Sequence, residues 1–351
     1  MRAIVWTGPN QLEPREVPAP RLCMATDAIV RVEYASTCGT DVHAYRGAVP
    51  GFEPGTILGH EFLGVVEAIG DDVRLFEPGA RVWSAGAASC GACPWCLKRR
   101  FSQCPSRMLF GFSGVQPRLD GAFAERVRVP WVDTTLWQLP DDRDPRAGLL
   151  AADVLPTALG GLERLMLASG DRLVVVGCGP VGLTAACVAR HCGIETVALD
   201  TSPVRAARAA TAGVVAHCVA ATATFDELIA RIGGPADGTI DAVGGEHGLT
   251  CAIELVRAGG GHVVGVGSQI RSYPIDWWRA LRREISISFV LSDAVRMRAQ
   301  TLRVLEEGFL PLDVLFSDTV PLAELPEYYP RLLRREAFKA VVKVSGGAQR
   351  A

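Results

Sequence analysis

Four cysteines, Cys90, Cys93, Cys96 and Cys104, fall in one short stretch as C-x2-C-x2-C-x7-C. Four thiolates this close in sequence can surround one tetrahedral Zn²⁺. Chance clustering and a disulfide pair are the alternatives. The odd total of 11 cysteines and the lack of a secretory leader weigh against disulfides. An all-sulfur site leaves no open coordination position, so it would hold a loop and do no chemistry.

A second group of residues suits reactive metal chemistry. Ser36-Thr-Cys38-Gly-Thr40-Asp41-Val-His43 is followed by Gly59-His60-Glu61. One thiolate and one imidazole can begin an open zinc site, which needs three protein ligands and a fourth position for water or substrate. Taken singly, a lone cysteine is usually core and a lone histidine structural; together the two motifs are far more specific.

A nucleotide site is written in Val174-Val-Val-Gly177-Cys-Gly179-Pro180-Val181-Gly182, a G-x-G-x-x-G that follows a strand and opens a helix. Glycine there permits a tight turn, close approach of a pyrophosphate to backbone N–H groups, and close helix–strand packing. The helix N-terminus then faces the phosphates with its positive end. A glycine-rich turn in an ordinary α/β protein is the alternative. Asp200 ends the next strand, and a carboxylate there accepts from the adenosine ribose hydroxyls and repels a 2′-phosphate, so NAD(H) is favoured over NADP(H). Arg205 blurs this, since it can pair with a 2′-phosphate, contact the ribose or lie on a solvated helix face.

The elements that must position these residues divide the chain in two. Its 351 residues suggest two domains, and 49% hydrophobic and 21% charged residues are those of a soluble globular protein. A net charge of −2 argues against a nucleic-acid surface. Met1–Trp6 reads as a strand whose apolar run is too short for a signal-peptide core. The longest apolar stretch, Leu173–Ala189, is broken by Gly177, Gly179, Pro180 and Gly182 and reads as a soluble turn, so neither a membrane span nor a location outside the cytoplasm is expected. The first 150 or so residues are β-rich, with strands at Ile29–Tyr34 and Phe62–Ile69. After about Leu155, short strands (Leu173–Val176, Thr196–Leu199, Thr239–Ala242, His262–Val266) alternate with helices near Val181–His191 and Pro203–Ala212, which specifies a parallel sheet covered on both faces. The closing strand Lys339–Val344 lacks a partner in that pattern and is expected to return to the first domain. Ser345–Ala351 is expected to fray. Cys23, Cys178, Cys187, Cys192, Cys218 and Cys251 read as small hydrophobes.

In the order of these motifs, over nearly its whole length, the chain resembles the zinc-dependent medium-chain dehydrogenase/reductase family, which includes alcohol, polyol and threonine dehydrogenases. The resemblance implies an α/β fold, a Rossmann doubly wound parallel sheet plus a β-rich GroES-like catalytic domain. It places the catalytic domain at 1–156, with a structural-zinc loop at 88–106. The NAD-binding domain is 157–292, and 293–351 return to the catalytic domain. It makes Cys38 and His60 catalytic-zinc ligands, Glu61 the acidic neighbour that exchanges with the metal's water, and Asp41 the carboxylate that orients the ligand histidine. The third ligand varies between branches as Cys, Glu or Asp; the matching segment Ala151-Ala-Asp153-Val-Leu-Pro-Thr157 offers Asp153, with an exposed loop aspartate as the alternative. Two Zn²⁺ per subunit follow, one catalytic and one structural. Pro180, Val181 and Val266 join the glycines as cofactor contacts, and Lys339 matches a basic phosphate-contacting position.

Oxidation of an alcohol first requires loss of its hydroxyl proton, and Zn²⁺ lowers that pKa by stabilising the alkoxide. By resemblance the proton leaves through Thr40, the nicotinamide ribose and His43; a helix-capping threonine beside a surface histidine is the alternative. Gly39 stands where some alcohol dehydrogenases carry a basic pyrophosphate contact. Small residues in Trp83-Ser-Ala-Gly86-Ala-Ala-Ser hint at a roomy substrate pocket. The expected function is hydride transfer between a secondary alcohol or polyol and NAD. The alternatives are an NAD(P)H-dependent imine or activated-alkene reductase of the same fold and a non-catalytic zinc- or NAD-binding protein. Partners are a small alcohol or carbonyl substrate, with no nucleic acid and no membrane, and a second subunit in a homodimer or homotetramer, for which Ile285–Leu291 is the candidate edge. Trp277, Trp278, Phe110 and Phe112 either line a pocket or pack.

Overall fold

The computed structural model describes residues 1–140 and 143–344, so the expectation for Ser345–Ala351 lies outside the described residues. The chain divides into two compact units. The first comprises Met1–Asp153, Asp293–Arg298 and the segment from Phe316 on; the second comprises Val154–Ser292 and Ala299–Leu315.

The first unit is built on a largely antiparallel sheet. Its strand order is Asp318–Pro321, Ala340–Lys343, Ala28–Ser36, Glu61–Ile69, Arg81–Ser84 and Leu136–Gln138, with Arg126–Val129 also paired to Ala28–Ser36. Buried Ala28, Val30 and Val32 alternate with partly exposed Arg31 and Glu33, the period of a strand with one face on a core. Two irregularities, at Ile29/Val30 and Val32/Tyr34, bend this strand against Glu61–Ile69. The closing strand Ala340–Lys343 pairs antiparallel with it (Val341 opposite Ser36) and parallel with Asp318–Pro321. A hairpin of Arg2–Gly8 and Gln11–Glu16 and a short pair, Ala87–Ala88 with Met108–Leu109, complete the unit's strands among the described residues. Phe110 and Phe112 belong to this unit's core, where they pack edge-on against Phe62 and Phe52.

The second unit holds six parallel strands in the order Val215–Cys218, Glu195–Asp200, Arg172–Val176, Gly238–Asp241, His262–Gly265 and Ser286–Phe289. In sequence terms this is 3-2-1-4-5-6, the doubly wound dinucleotide-binding order. Helices Pro180–His191 and Pro203–Thr211 follow the first two strands. Proline in the first turn and, for the latter, Ser202 accepting from Arg205 N start these helices cleanly. Ser286–Phe289 ends one edge of the sheet. Trp277 and Trp278, on the helix Trp277–Arg282, are exposed. No helix among the described residues is long and apolar enough to cross a membrane.

Candidate active site

Three short segments of the first unit converge on one buried cluster. Cys38 caps the helix Gly39–Tyr45. His60 follows Gly59, whose φ of +96° and lack of a side chain are both required: a Cβ there would lie 2.7 Å from the Phe123 ring. Glu61 opens the strand Glu61–Ile69. Asp153 stands at the break between the helices Pro145–Ala152 and Val154–Leu165. The ligand-type atoms of Cys38, His60, Glu61 and Asp153 all lie within 4.8 Å of one another. Cys38 Sγ is 3.7 Å and His60 Nε2 3.4 Å from Asp153 Oδ2. Donors bound to a tetrahedral zinc at about 2.0–2.3 Å are themselves about 3.5 Å apart, so the spacing fits.

The state of these groups also fits a cation. His60 Nε2 and Glu61 Oε1 are buried and have no hydrogen bond; Asp153 Oδ2, though near, is not placed to make one. Burial, with the nearby Glu61 charge, pushes the Cys38 thiol up. Burial also opposes a charged His60, but Asp41 and Cys38 outweigh it and lift the ring well above the ordinary histidine value. A bound divalent ion would reverse both, because it requires thiolate and neutral imidazole. The other imidazole nitrogen is held: Nδ1 lies 3.0 Å from Asp41 Oδ1, and Asp41 Oδ2 accepts from Cys38 N at 3.3 Å. Asp41 is completely buried.

Lys339, expected at a cofactor phosphate, is fully buried beside this cluster, and its Nζ donates to Glu61 Oε2 and to Thr37 O. A buried ammonium must have a counter-charge, and the pairing of Ala340–Lys343 with Ala28–Ser36 brings it to Glu61. Ser36, which the sequence reading assigned no role, donates to the same Glu61 oxygen. Ser36 and Glu61 are register partners, a relation visible only once the two strands are aligned.

Thr40 and His43 share one face of the helix Gly39–Tyr45, three residues apart, and both are half-buried. Cys38, not Thr40, occupies the capping position. Burial first and Arg46 second hold His43 below the ordinary histidine value. Gly86 lies beside the cluster, where a Cβ would come within 3.4 Å of His60 Cδ2 and 3.5 Å of Asp153 Cβ.

The four loop cysteines form a separate group in the same unit. Their sulfurs also lie within 4.8 Å of one another, with separations of 3.5 Å (Cys93–Cys96 and Cys90–Cys104) and 4.0 Å (Cys90–Cys96). Sulfurs around one zinc are about 3.8 Å apart. All eleven cysteines are free. Backbone N–H of Cys96 is the main cause that draws Cys93 down to about 7, while burial raises Cys96 and Cys104.

In the second unit the glycine motif has the expected shape. Gly177 has φ +100°, and a Cβ on Gly182 would lie 2.0 Å from Gly177 O, so helix and strand meet at a distance only glycine allows. Gly179 is open, with Arg205 Nη1 the nearest atom to a Cβ there at 3.9 Å. Pro180 and Val181 begin the helix. Asp200 ends its strand, and its two oxygens accept from Cys178 N and Ser202 N at 2.8 Å each. Val266 follows the strand His262–Gly265, half-buried, with its N–H on Asp241 O.

Known proteins carry the same plan. The alcohol dehydrogenase GroES-like domain matches residues 24–141 and the zinc-binding dehydrogenase domain matches residues 180–307. L-galactonate-5-dehydrogenase of Escherichia coli is 30% identical over 97% of this chain and 98% of its own. The alcohol dehydrogenase TADH of Thermus sp. ATN1 is 35% identical with a TM-score of 0.88, covering 98% of this chain and 100% of that one. A zinc-binding dehydrogenase structure from Sinorhizobium meliloti 1021, bound to NADP, is 26% identical with a TM-score of 0.83, over 98% and 99% of the two chains. The chain belongs to the zinc-dependent medium-chain dehydrogenase/reductase family, as an oxidoreductase that acts on alcohols.

Proposed function

We propose that this protein transfers hydride between a secondary alcohol or polyol and NAD at a zinc site formed by Cys38, His60 and Asp153. The observation that carries the reading is the buried cluster itself, with its ligand atoms within 4.8 Å and His60 anchored by Asp41. When bound there, Zn²⁺ supplies the Lewis acidity that lowers the pKa of an alcohol hydroxyl, and nicotinamide accepts the hydride. Cys90, Cys93, Cys96 and Cys104 would hold a second, structural Zn²⁺.

The chain's own residues position and move the proton. Asp41 accepts from His60 Nδ1–H, which leaves the Nε2 lone pair turned toward Asp153 and Cys38. Ser36 and Lys339 hold Glu61 through Oε2, leaving Oε1 for the cluster. Thr40 can accept a proton and donate its own, and His43, kept neutral by its surroundings, can receive it. Gly86 packs directly against the ligands, where a Cβ would meet Ala152 O at 3.3 Å and His60 Cδ2 at 3.4 Å.

Asp200 supports NAD over NADP, because each of its oxygens retains acceptor capacity for a ribose hydroxyl and its charge opposes a 2′-phosphate. Gly177, Gly179, Pro180, Val181 and Gly182 would meet the pyrophosphate, and Val266 the nicotinamide end. A relative named for L-galactonate supports a polyhydroxylated substrate. The strand edge at Ser286–Phe289, with Phe289 exposed, supports a homodimer or homotetramer. Eleven free thiols support a cytoplasmic setting.

The test is reduction of NAD and of NADP, followed by absorbance, over secondary alcohols, polyols and sugar acids before and after chelation. Expected are turnover of a secondary alcohol or polyol, a higher kcat/KM with NAD, and loss of activity with the metal. No turnover of any alcohol or carbonyl would remove this reading, and preference for NADP would overturn the Asp200 argument.

A further inference from the structure

Two adjacent tyrosines on the helix Leu325–Leu333 are treated oppositely by the fold. Tyr328 places its hydroxyl 2.7 Å from Asp318 Oδ2. Tyr329 is completely buried, and its hydroxyl has no hydrogen-bond partner. A buried hydroxyl left unsatisfied is costly, and such a group in a native core calls for an explanation.

The surroundings of Tyr329 supply one. Its ring packs against Tyr45, with centroids 5.2 Å apart, and against Phe123 at 6.1 Å. Tyr45 closes the helix Gly39–Tyr45, and Asp41 lies four residues before it on the same face, with Cys38 one turn further back. Tyr329 thus packs on the side of this helix that carries Cys38 and Asp41. Asp41, Cys38 and Glu61 also act on its hydroxyl electrostatically, behind burial as the main influence, and keep it protonated. Among these acceptors Asp41 has capacity to spare. Each of its oxygens takes one donor, from His60 and from Cys38 N, and each can take a second. Glu61 Oε2 already receives both Ser36 and Lys339.

We propose that Tyr329 is a positioning residue of the metal cluster, its hydroxyl donating through one buried water to the Asp41 carboxylate that orients His60. A water bridge satisfies a donor that reaches no protein acceptor directly, and buried polar groups are commonly completed in this way. The inference rests on reading Cys38, His60 and Asp153 as a metal site. Through Asp41, Tyr329 sets how firmly the His60 ring is held, without itself touching metal or substrate.

Tyr329→Phe removes only the oxygen. If the hydroxyl were dry and unsatisfied, Phe would raise the Tm of the holoprotein; the water bridge requires that Tm fall. Chelator competition should also show the Asp153-dependent metal bound about tenfold more weakly, with the cysteine-loop metal as internal control. Tyr328→Phe should lower Tm without changing metal affinity. A raised or unchanged Tm, or unchanged affinity, for Tyr329→Phe would overturn the proposal. The metal-site reading fails separately: a wild-type protein with one metal per subunit, unaffected by Asp153→Ala, removes both.

Discussion

Lys339 and Glu61, 278 residues apart in sequence, form an ion pair in which neither side chain is exposed. The pair lies against the candidate metal ligands, and its ammonium also donates to Thr37 O at 3.1 Å. Glu61 therefore enters the cluster with its charge largely answered, and on the proposed reading Cys38 and Asp153 would be the anionic ligands of a divalent ion. The cluster can be electrically balanced when loaded.

Removing one partner of a buried pair strands the other. Lys339→Met should cost about 3–5 kcal/mol of stability in denaturant titration. The double variant Lys339→Met with Glu61→Gln should recover a large part of that loss, since no uncompensated carboxylate remains. A Lys339→Met loss below about 1 kcal/mol would mean the two groups are not energetically coupled.

Asp41 touches two of the proposed metal ligands, His60 through Nδ1 and Cys38 through its backbone N–H. Asp41→Asn replaces an anionic acceptor at 3.0 Å from Nδ1 with a neutral amide. Affinity at the Cys38–His60–Asp153 site should fall roughly 10- to 100-fold, while the four-cysteine loop keeps its metal. Metal analysis after graded chelation separates the two sites. Equal loss from both would point to a general destabilisation.

Much of this cluster could be read in the sequence because its residues lie in short motifs. Cys38, Asp41 and His43 share one helix, His60 and Glu61 are neighbours, and the loop cysteines span 15 residues. Each motif is set by local geometry, such as the left-handed Gly59 that precedes His60. The place of Asp153 beside Cys38 and His60 was suggested only by family resemblance, since nothing in its own neighbourhood marks a ligand. The burial of Lys339 on Glu61 was not legible, because it depends on the register of two strands separated by most of the chain. Tyr329 was hidden for the same reason: a tyrosine in a helix near the end gives no sign that it packs on Tyr45. In the second unit the four inner strands and the edge at Ser286–Phe289 were legible from the strand–helix alternation, whereas the other edge, Val215–Cys218, was not, because it is short, partly exposed and carries no apolar run.

The proposed relay through His43 carries a pH signature. Burial and Arg46 favour its neutral form, so it loses its proton below the ordinary histidine value of about 6.5. Relay in the oxidative direction needs that neutral ring, so kcat/KM should rise with pH through an apparent pKa below about 6.5 and then level off. His43→Gln should abolish this limb, and Arg46→Gln should move it to higher pH. The folded ring binds fewer protons than the unfolded one at mildly acid pH. Its contribution to stability is therefore present above about pH 6.5 and is lost as pH falls through the folded-state value. An acid limb that stays in His43→Gln would take His43 out of the relay.

Asp200 should govern cofactor choice in two ways at once. Its carboxylate braces the glycine loop through Cys178 N and the following turn through Ser202 N, both at 2.8 Å. On the proposed reading it also accepts from the adenosine ribose. A charged hydrogen bond is worth about 1.5–3 kcal/mol, so Asp200→Ala should lower kcat/KM for NAD by about tenfold or more. Loss of the bracing alone would penalise NAD and NADP alike. Loss of the ribose contact and of the repulsion should penalise NAD while sparing or improving NADP, with Arg205 near Gly179 able to receive the extra phosphate. The ratio of the two kcat/KM values therefore separates a structural role from a recognition role, and an unchanged ratio would assign Asp200 to the loop alone.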